Sequence, residues 1–277
     1  MTLETISQHR CHGGVQTFHR HQSFATSTPM RFSVFTPAGH GPHPVVWYLA
    51  GLTGTEETFA IKGGGQQAAS ALGLMLVGLD TSPRGEGVAN DEAYDMGQGA
   101  GFYLDATEAP WSAHFNMRSY VEVELPALIG AHFPADMSRQ GITGHSMGGH
   151  GALTVGLRNP ERFASISAFA PIVSPMNCPW GQKALTGYLG QDRSAWRAYD
   201  ACALIEDGAR HKEILIDQGL EDAYLRQQLK PELFEMACAR AGQSLVMRRQ
   251  PDYDHSYWFV LSFIESHLRW HAARLAR

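Results

Sequence analysis

The stretch Gly141–Leu153 reads GITGHSMGGHGAL, and its serine, Ser146, has Gly144 and Gly148 two residues to either side. A bare G-x-S-x-G pattern is weak in a chain with 29 glycines, because chance alone produces such spacings. Its surroundings strengthen it. SRQGITG leads a strand into the motif, and ALTVGLRN behind it is helical until Asn159-Pro160 stops it. A strand, a sharp turn carrying a serine and a helix together expose a hydroxyl above the edge of a sheet. Small neighbours let strand and helix approach closely. The competing reading is a glycine-rich helix start with an inert serine.

Working outward, the same alternation recurs. RFSVFTP (31–37), PVVWYLAG (44–51) and LMLVGLD (74–80) read as strands, with a helical stretch over 66–72. ASISAFAP (164–171), EILIDQG (213–219) and SLVMRRQ (244–250) follow, and a helix runs from about Tyr257 to the C-terminal region. Continuous apolar strands separated by helices predict an α/β fold with a mostly parallel sheet covered on both faces. With the serine turn, the prediction narrows to the α/β-hydrolase fold, as one domain over 1–277. Residues 177–199, rich in glycine and aromatics, fit a pocket wall or lid, or equally an irregular surface excursion. TSPRGEGVAND (81–91) is long enough to be functional rather than a mere connector.

A hydrophobic content of 44% with 18% charged residues is ordinary for a globular protein of 277 residues. The formal net charge of −5 argues against nucleic acid or an anionic membrane as partner. No apolar run approaches the ~18 residues of a membrane span. MTLETISQHR at the N-terminus has no signal-peptide core, so a cytoplasmic protein is expected. The four cysteines, Cys11, Cys178, Cys202 and Cys238, form no C-x-x-C pair and read as free thiols. HRCH (His9–His12) and HRH (His19–His21) look metal-like, but no ligand set accompanies them, which favours a solvated cluster. There is no P-loop, and GGG at Gly63–Gly65 does not fit G-x-G-x-x-G, so no cofactor and no metal are expected.

A serine hydroxyl needs a base to take its proton. His145 and His150 are near in sequence, but the residue before such a serine points away from it, and both read as supporting residues. The order Ser, Asp or Glu, His expected of this fold directs attention downstream. DYDHSYW places His255 in a polar turn before the last helix, whereas His211 and His267 read as ordinary surface residues. EILIDQGLEDAY offers Asp217, Glu221 and Asp222 as the acid. Asp222, in the loop beyond Gly219, has the reach to orient a histidine and is preferred to Asp217 at the strand's end. Asp254, adjacent to His255, is poorly placed to bond it. The oxyanion donors expected in this fold are the backbone N–H of Met147 and one from the loop LAGLTGTEETF (49–59), where Leu52 is the candidate.

GHSMGGHGAL, DTSPRG, GFYLDATEAPW, SAFAPI, CPWG, GYLG, ILIDQG and YDHSY together resemble the S-formylglutathione hydrolases, also called esterase D, over nearly the whole chain. The resemblance implies a cytoplasmic serine thioesterase that converts S-formylglutathione to glutathione and formate in formaldehyde detoxification. It carries the triad onto Ser146, Asp222 and His255 and the oxyanion donors onto Leu52 and Met147. It also implies an acyl-pocket wall at Trp180, a position that a plain core tryptophan would equally explain. The family often dimerises, so the resemblance admits a homodimer, while the residues themselves do not give the oligomeric state. One departure is Gly54, where the family commonly has a cysteine close to the active site. Glutathione carries net negative charge, so local cations are needed, and Lys62, Arg84 and Lys183 qualify without order of preference. The rival reading is a broad short-acyl carboxylesterase of the same fold. A hydrolase-fold protein without activity is disfavoured by the presence of all three triad residue types.

Overall fold

The computed structural model describes residues 3–276, through which one nine-stranded sheet runs. The strands are β1 (Leu3–Cys11), β2 (Gly14–Gln22), β3 (Pro29–Thr36), β4 (His43–Leu49), β5 (Met75–Leu79), β6 (Ala135–Gly144), β7 (Phe163–Phe169), β8 (Ile214–Gly219) and β9 (Leu245–Gln250). Their spatial order is β1-β2-β3-β5-β4-β6-β7-β8-β9. β1, β2, β3 and β5 pair antiparallel in succession, and from β5 to β9 all pairings are parallel. Every residue of β5 and β8 is buried, which is why β5 and the first half of β8, Ile214–Ile216, read as apolar runs.

Ten α-helices among the described residues flank the sheet. α1 (Glu56–Lys62), α2 (Gln66–Leu72) and the C-terminal α10 (Tyr257–Leu275) cover one face, where Phe59, Leu76 and Leu268 meet around Gly65. α5 (Met147–Arg158) packs on β4, β6 and β7 together with α8 (Ala201–Glu206). α3 (Met117–Ser119) and α4 (Leu125–His132) precede β6, α6 (Pro179–Leu189) and α7 (Arg193–Trp196) precede α8, and α9 (Pro231–Ala241) packs on α8 and β9. Residues 177–199 are thus largely helical, with Trp180, Tyr188 and Trp196 buried. No helix of the described residues is long and apolar enough to cross a membrane.

The hairpin β1–β2 has no counterpart in the sequence reading. Its two-residue turn, His12–Gly13, has positive φ at both positions (47° and 78°), the type I′ geometry that suits strand twist. The histidine cluster is likewise not uniformly solvated. His19 stacks on Phe32 at 5.1 Å, and His21 on Tyr120 at 5.7 Å, both side chains being buried. Histidines fill inward positions where apolar residues would have revealed a strand. Among the described residues no group of His, Cys, Asp or Glu is arranged to hold a metal ion.

Candidate active site

Ser146 stands between β6 and α5 with φ 60° and ψ −118°, a conformation costing a non-glycine residue of order 1–3 kcal/mol. The flanking glycines are what permit it. A Cβ on Gly148 would lie 1.9 Å from the Leu49 carbonyl oxygen, and one on Gly144 would lie 2.2 Å from that of Gly148. The turn is held by its neighbours: His145 N donates to Leu49 O (3.1 Å) and Ser146 N donates to Phe169 O (2.9 Å). The hydroxyl is thereby fixed above the carboxyl ends of β4 and β7.

His255 meets it from the loop between β9 and α10. Its Nε2 lies 2.9 Å from Ser146 Oγ, and its Nδ1 lies 2.5 Å from Asp222 Oδ2. A carboxylate only accepts, so Nδ1 carries the proton and Nε2 presents a lone pair to the serine. Asp222 is oriented in turn by Tyr224 N (2.9 Å) and Gln218 Nε2 (3.4 Å). The acid loop and the histidine loop are tied together by Glu221 N donating to Tyr253 O, and Gly219 passes beneath where a Cβ would sit 2.4 Å from that oxygen. Asp254 is spent locally, accepting from Ser256 N and Oγ at the start of α10.

The strand-to-helix loop after β4 closes the other side. A Cβ on Gly51 would touch Ser146 Cβ at 3.1 Å, so the adjoining Leu52 backbone lies against the elbow. Met147 is the first residue of α5, and its N–H therefore has no acceptor within the helix. The segment 81–91, together with Gly99 and Tyr103, braces this loop. Gly54 O accepts from Thr81 Oγ1 (2.6 Å) and Arg84 Nη2 (2.9 Å), Thr53 N donates to Gly99 O (2.8 Å), and Tyr103 OH donates to Ala50 O (2.7 Å). A Cβ at Gly54 would come within 2.8 Å of Ala50 Cβ, so the backbone at this position is packed as only glycine permits without adjustment.

A cavity of about 360 Å³ opens over Ser146 and His255. Trp180 from α6 forms part of its wall, 4.7 Å from the Tyr224 ring and edge-on to Tyr94 at 6.1 Å. Of the three cations considered, Lys62 lines this cavity. Arg84 is engaged by Asp80 (2.9 Å), and Lys183 by Asp91 (3.1 Å) and Asp95 (2.7 Å).

The structure contains a second Ser–His–Asp chain, which the sequence reading missed. His267 bonds Ser167 Oγ (2.9 Å) and Asp217 Oδ2 (3.2 Å), and His271 bonds Ser167 (2.9 Å) and Ser165 (2.7 Å). Ser167, Asp217, His267 and His271 are all 0% exposed, so no substrate reaches this serine. The expectation that His267 is a surface residue is overturned: it faces the sheet from α10, stacked on Phe169 at 3.7 Å. His211 is half-buried too, bridging Glu213 O and Phe163 O. Their partners are distant in sequence, and only the α/β packing brings them together.

His145 and His150 support the site rather than touch the serine. The His145 ring lies 4.5 Å from that of His255, and His150 Nε2 donates to Phe102 O (3.1 Å). Burial pushes His150 down to about 4, the Phe102 bond opposing it, and burial likewise holds His145 and His271 well below the ordinary range. Unfolded histidine titrates near 6.5, so as pH falls the unfolded chain binds the proton first. The stability His150 confers is therefore complete above about pH 6.5 and declines by about 2 kcal/mol by pH 5. Melting temperature should fall steeply from pH 7 to pH 5, and His150→Gln should flatten that slope. An unchanged slope in the variant would sink the idea.

A family model described as "Putative esterase" matches residues 23–270. The S-formylglutathione hydrolase of Paracoccus denitrificans is 54% identical over 279 residues, covering 99% of this chain and 100% of the relative. A solved S-formylglutathione hydrolase from Agrobacterium tumefaciens superposes with a TM-score of 0.97 at 56% identity, over 98% of this chain and 99% of that one. A fluorophosphonate-binding serine hydrolase of Staphylococcus aureus shares the fold with a TM-score of 0.75 at 18% identity, over 94% and 98% of the two chains.

Proposed function

We propose, for a chain that belongs to the esterase family and within it to the S-formylglutathione hydrolases, that Ser146, His255 and Asp222 act as a catalytic triad on S-formylglutathione. What carries the reading is the unbroken relay from Asp222 through His255 to Ser146, opening on an aromatic-walled cavity. Ser146 Oγ attacks the formyl carbonyl while His255 Nε2 takes its proton, and Asp222 stabilises the imidazolium that forms. The N–H groups of Leu52 and Met147 receive the oxyanion, each such donor being worth about 10² to 10³ in rate. Collapse expels the glutathione thiolate, a leaving group of pKa near ~8.5 that needs little acid assistance. Water, activated by His255, then releases formate from the formyl-serine.

Residues 177–199 serve in this reading as pocket wall, through Trp180. All four cysteines are free thiols, which suits a reducing cytoplasm. The competing reading, a broad short-acyl carboxylesterase, predicts different kinetics. kcat/KM for S-formylglutathione should exceed that for p-nitrophenyl acetate by at least about 10², because binding of the glutathione portion is available only to the thioester. A preference for the oxoester overturns the assignment.

A further inference from the structure

We infer that Lys62 selects the leaving group, its ammonium holding the glycine carboxylate of glutathione at the rim of the cavity. This rests on the reading of S-formylglutathione as substrate. The chain carries a net charge of −5, yet the residues lining the cavity over Ser146 include no carboxylate and, apart from the histidines, a single basic side chain, Lys62. Its placement follows from α1. Thr58 and Lys62 are four residues apart and both line the cavity, so one face of this helix looks into it. The helix in turn continues from the loop that carries Leu52, which ties the position of Lys62 to the oxyanion side of the site.

Lys62 is also chemically available. It makes no ion pair among the described residues and is exposed, whereas Arg84 is held by Asp80 and Lys183 by two aspartates. Glutathione offers two carboxylates, of which the γ-glutamyl one shares its carbon with an ammonium that cancels much of its field at a cation. The glycine carboxylate stands alone, about one residue length (roughly 3.5 Å) beyond the cysteine. It is the anion a solitary lysine would favour.

The test compares Lys62→Gln, Lys62→Glu and Lys62→Arg. The ratio of kcat/KM for S-formylglutathione to that for uncharged p-nitrophenyl acetate should fall about fivefold in Lys62→Gln, mostly through KM, as expected of a partly exposed ion pair. It should fall further in Lys62→Glu and recover in Lys62→Arg. Lys212→Gln, which removes the same charge from an exposed position before β8, should leave the ratio alone. In parallel, the inhibition constant of free glutathione against p-nitrophenyl acetate hydrolysis should rise in Lys62→Gln. An unchanged ratio and inhibition constant, with S-formylglutathione still turned over, overturn the role of Lys62 alone. If S-formylglutathione is not a substrate but glutathione inhibition still depends on Lys62, the substrate reading fails and the carboxylate site stands. If S-formylglutathione is not a substrate and glutathione inhibition is also indifferent to Lys62, both readings fall.

Discussion

Replacing Ser146 with alanine should lower kcat by about 10⁶-fold and leave a remnant roughly 10³ to 10⁴ above the uncatalysed reaction. The remnant comes from donors that survive the change. Alanine keeps the Cβ that Gly51 accommodates, so the elbow at φ 60°, the Leu52 loop and the Met147 N–H should all persist. What disappears is the one oxygen 2.9 Å from His255 Nε2. Since the two residues act as a unit, His255→Ala should cost a similar amount, and the double variant should be little worse than either. Single-turnover kinetics with S-formylglutathione, alongside a melting curve to establish folding, measures this. Ser167→Ala supplies the contrast: its hydroxyl is sealed in a buried network, so activity per folded molecule should be retained. Loss of activity confined to Ser167→Ala would overturn the choice of nucleophile.

Why some residues could be read in advance and others not follows from how local their determinants are. The elbow is written locally, because a serine at that backbone angle demands glycines two residues away, where Cβ atoms would strike Leu49 and Gly148 backbone. The central strands β4, β5 and β7 are legible for the same kind of reason, being almost wholly buried and mostly apolar. Asp222 and His255 needed the order imposed by the sheet, which places consecutive loops along one edge. The hairpin β1–β2 was hidden because His19 and His21 occupy inward positions against Phe32 and Tyr120, contacts that sequence does not display. Long-range pairing also decided the cations. In sequence Arg84 and Lys183 are equivalent to Lys62, but in the fold Asp80 holds Arg84, and Asp91 and Asp95 hold Lys183. The same holds for His267, whose carboxylate partner is 50 residues away.

Asp222 and Asp217 provide the sharpest separation of chemistry from stability, because each carboxylate bonds a histidine but only one histidine meets a reachable serine. Asp222→Asn should cost about 10⁴ in kcat. The amide can still accept from Tyr224 N, so the loop should hold, but its NH₂ would donate to His255 Nδ1 and force the proton onto Nε2, facing Ser146. Melting temperature should hardly change. Asp217→Asn should do the reverse. That carboxylate accepts from Arg248 Nε (2.5 Å) and Nη2 (2.7 Å) and from His267. Burial alone would raise it, but the bonds from His267 and Arg248 outweigh burial and hold it below the usual carboxylate range. Removing its charge costs Arg248, whose side chain is 35% exposed and keeps a bond to Ser266, its carboxylate partner, and should destabilise the fold by about 1–3 kcal/mol, a few degrees of melting temperature in a chain this size. Because its folded pKa is depressed, that stabilisation is present above the unfolded value near 3.9 and is lost as pH falls through the folded one. The gap between wild type and Asp217→Asn should therefore narrow only in strong acid, while the kinetic defect of Asp222→Asn persists at neutral pH. A larger loss of kcat in Asp217→Asn than in Asp222→Asn, at full folding, would reassign the acid.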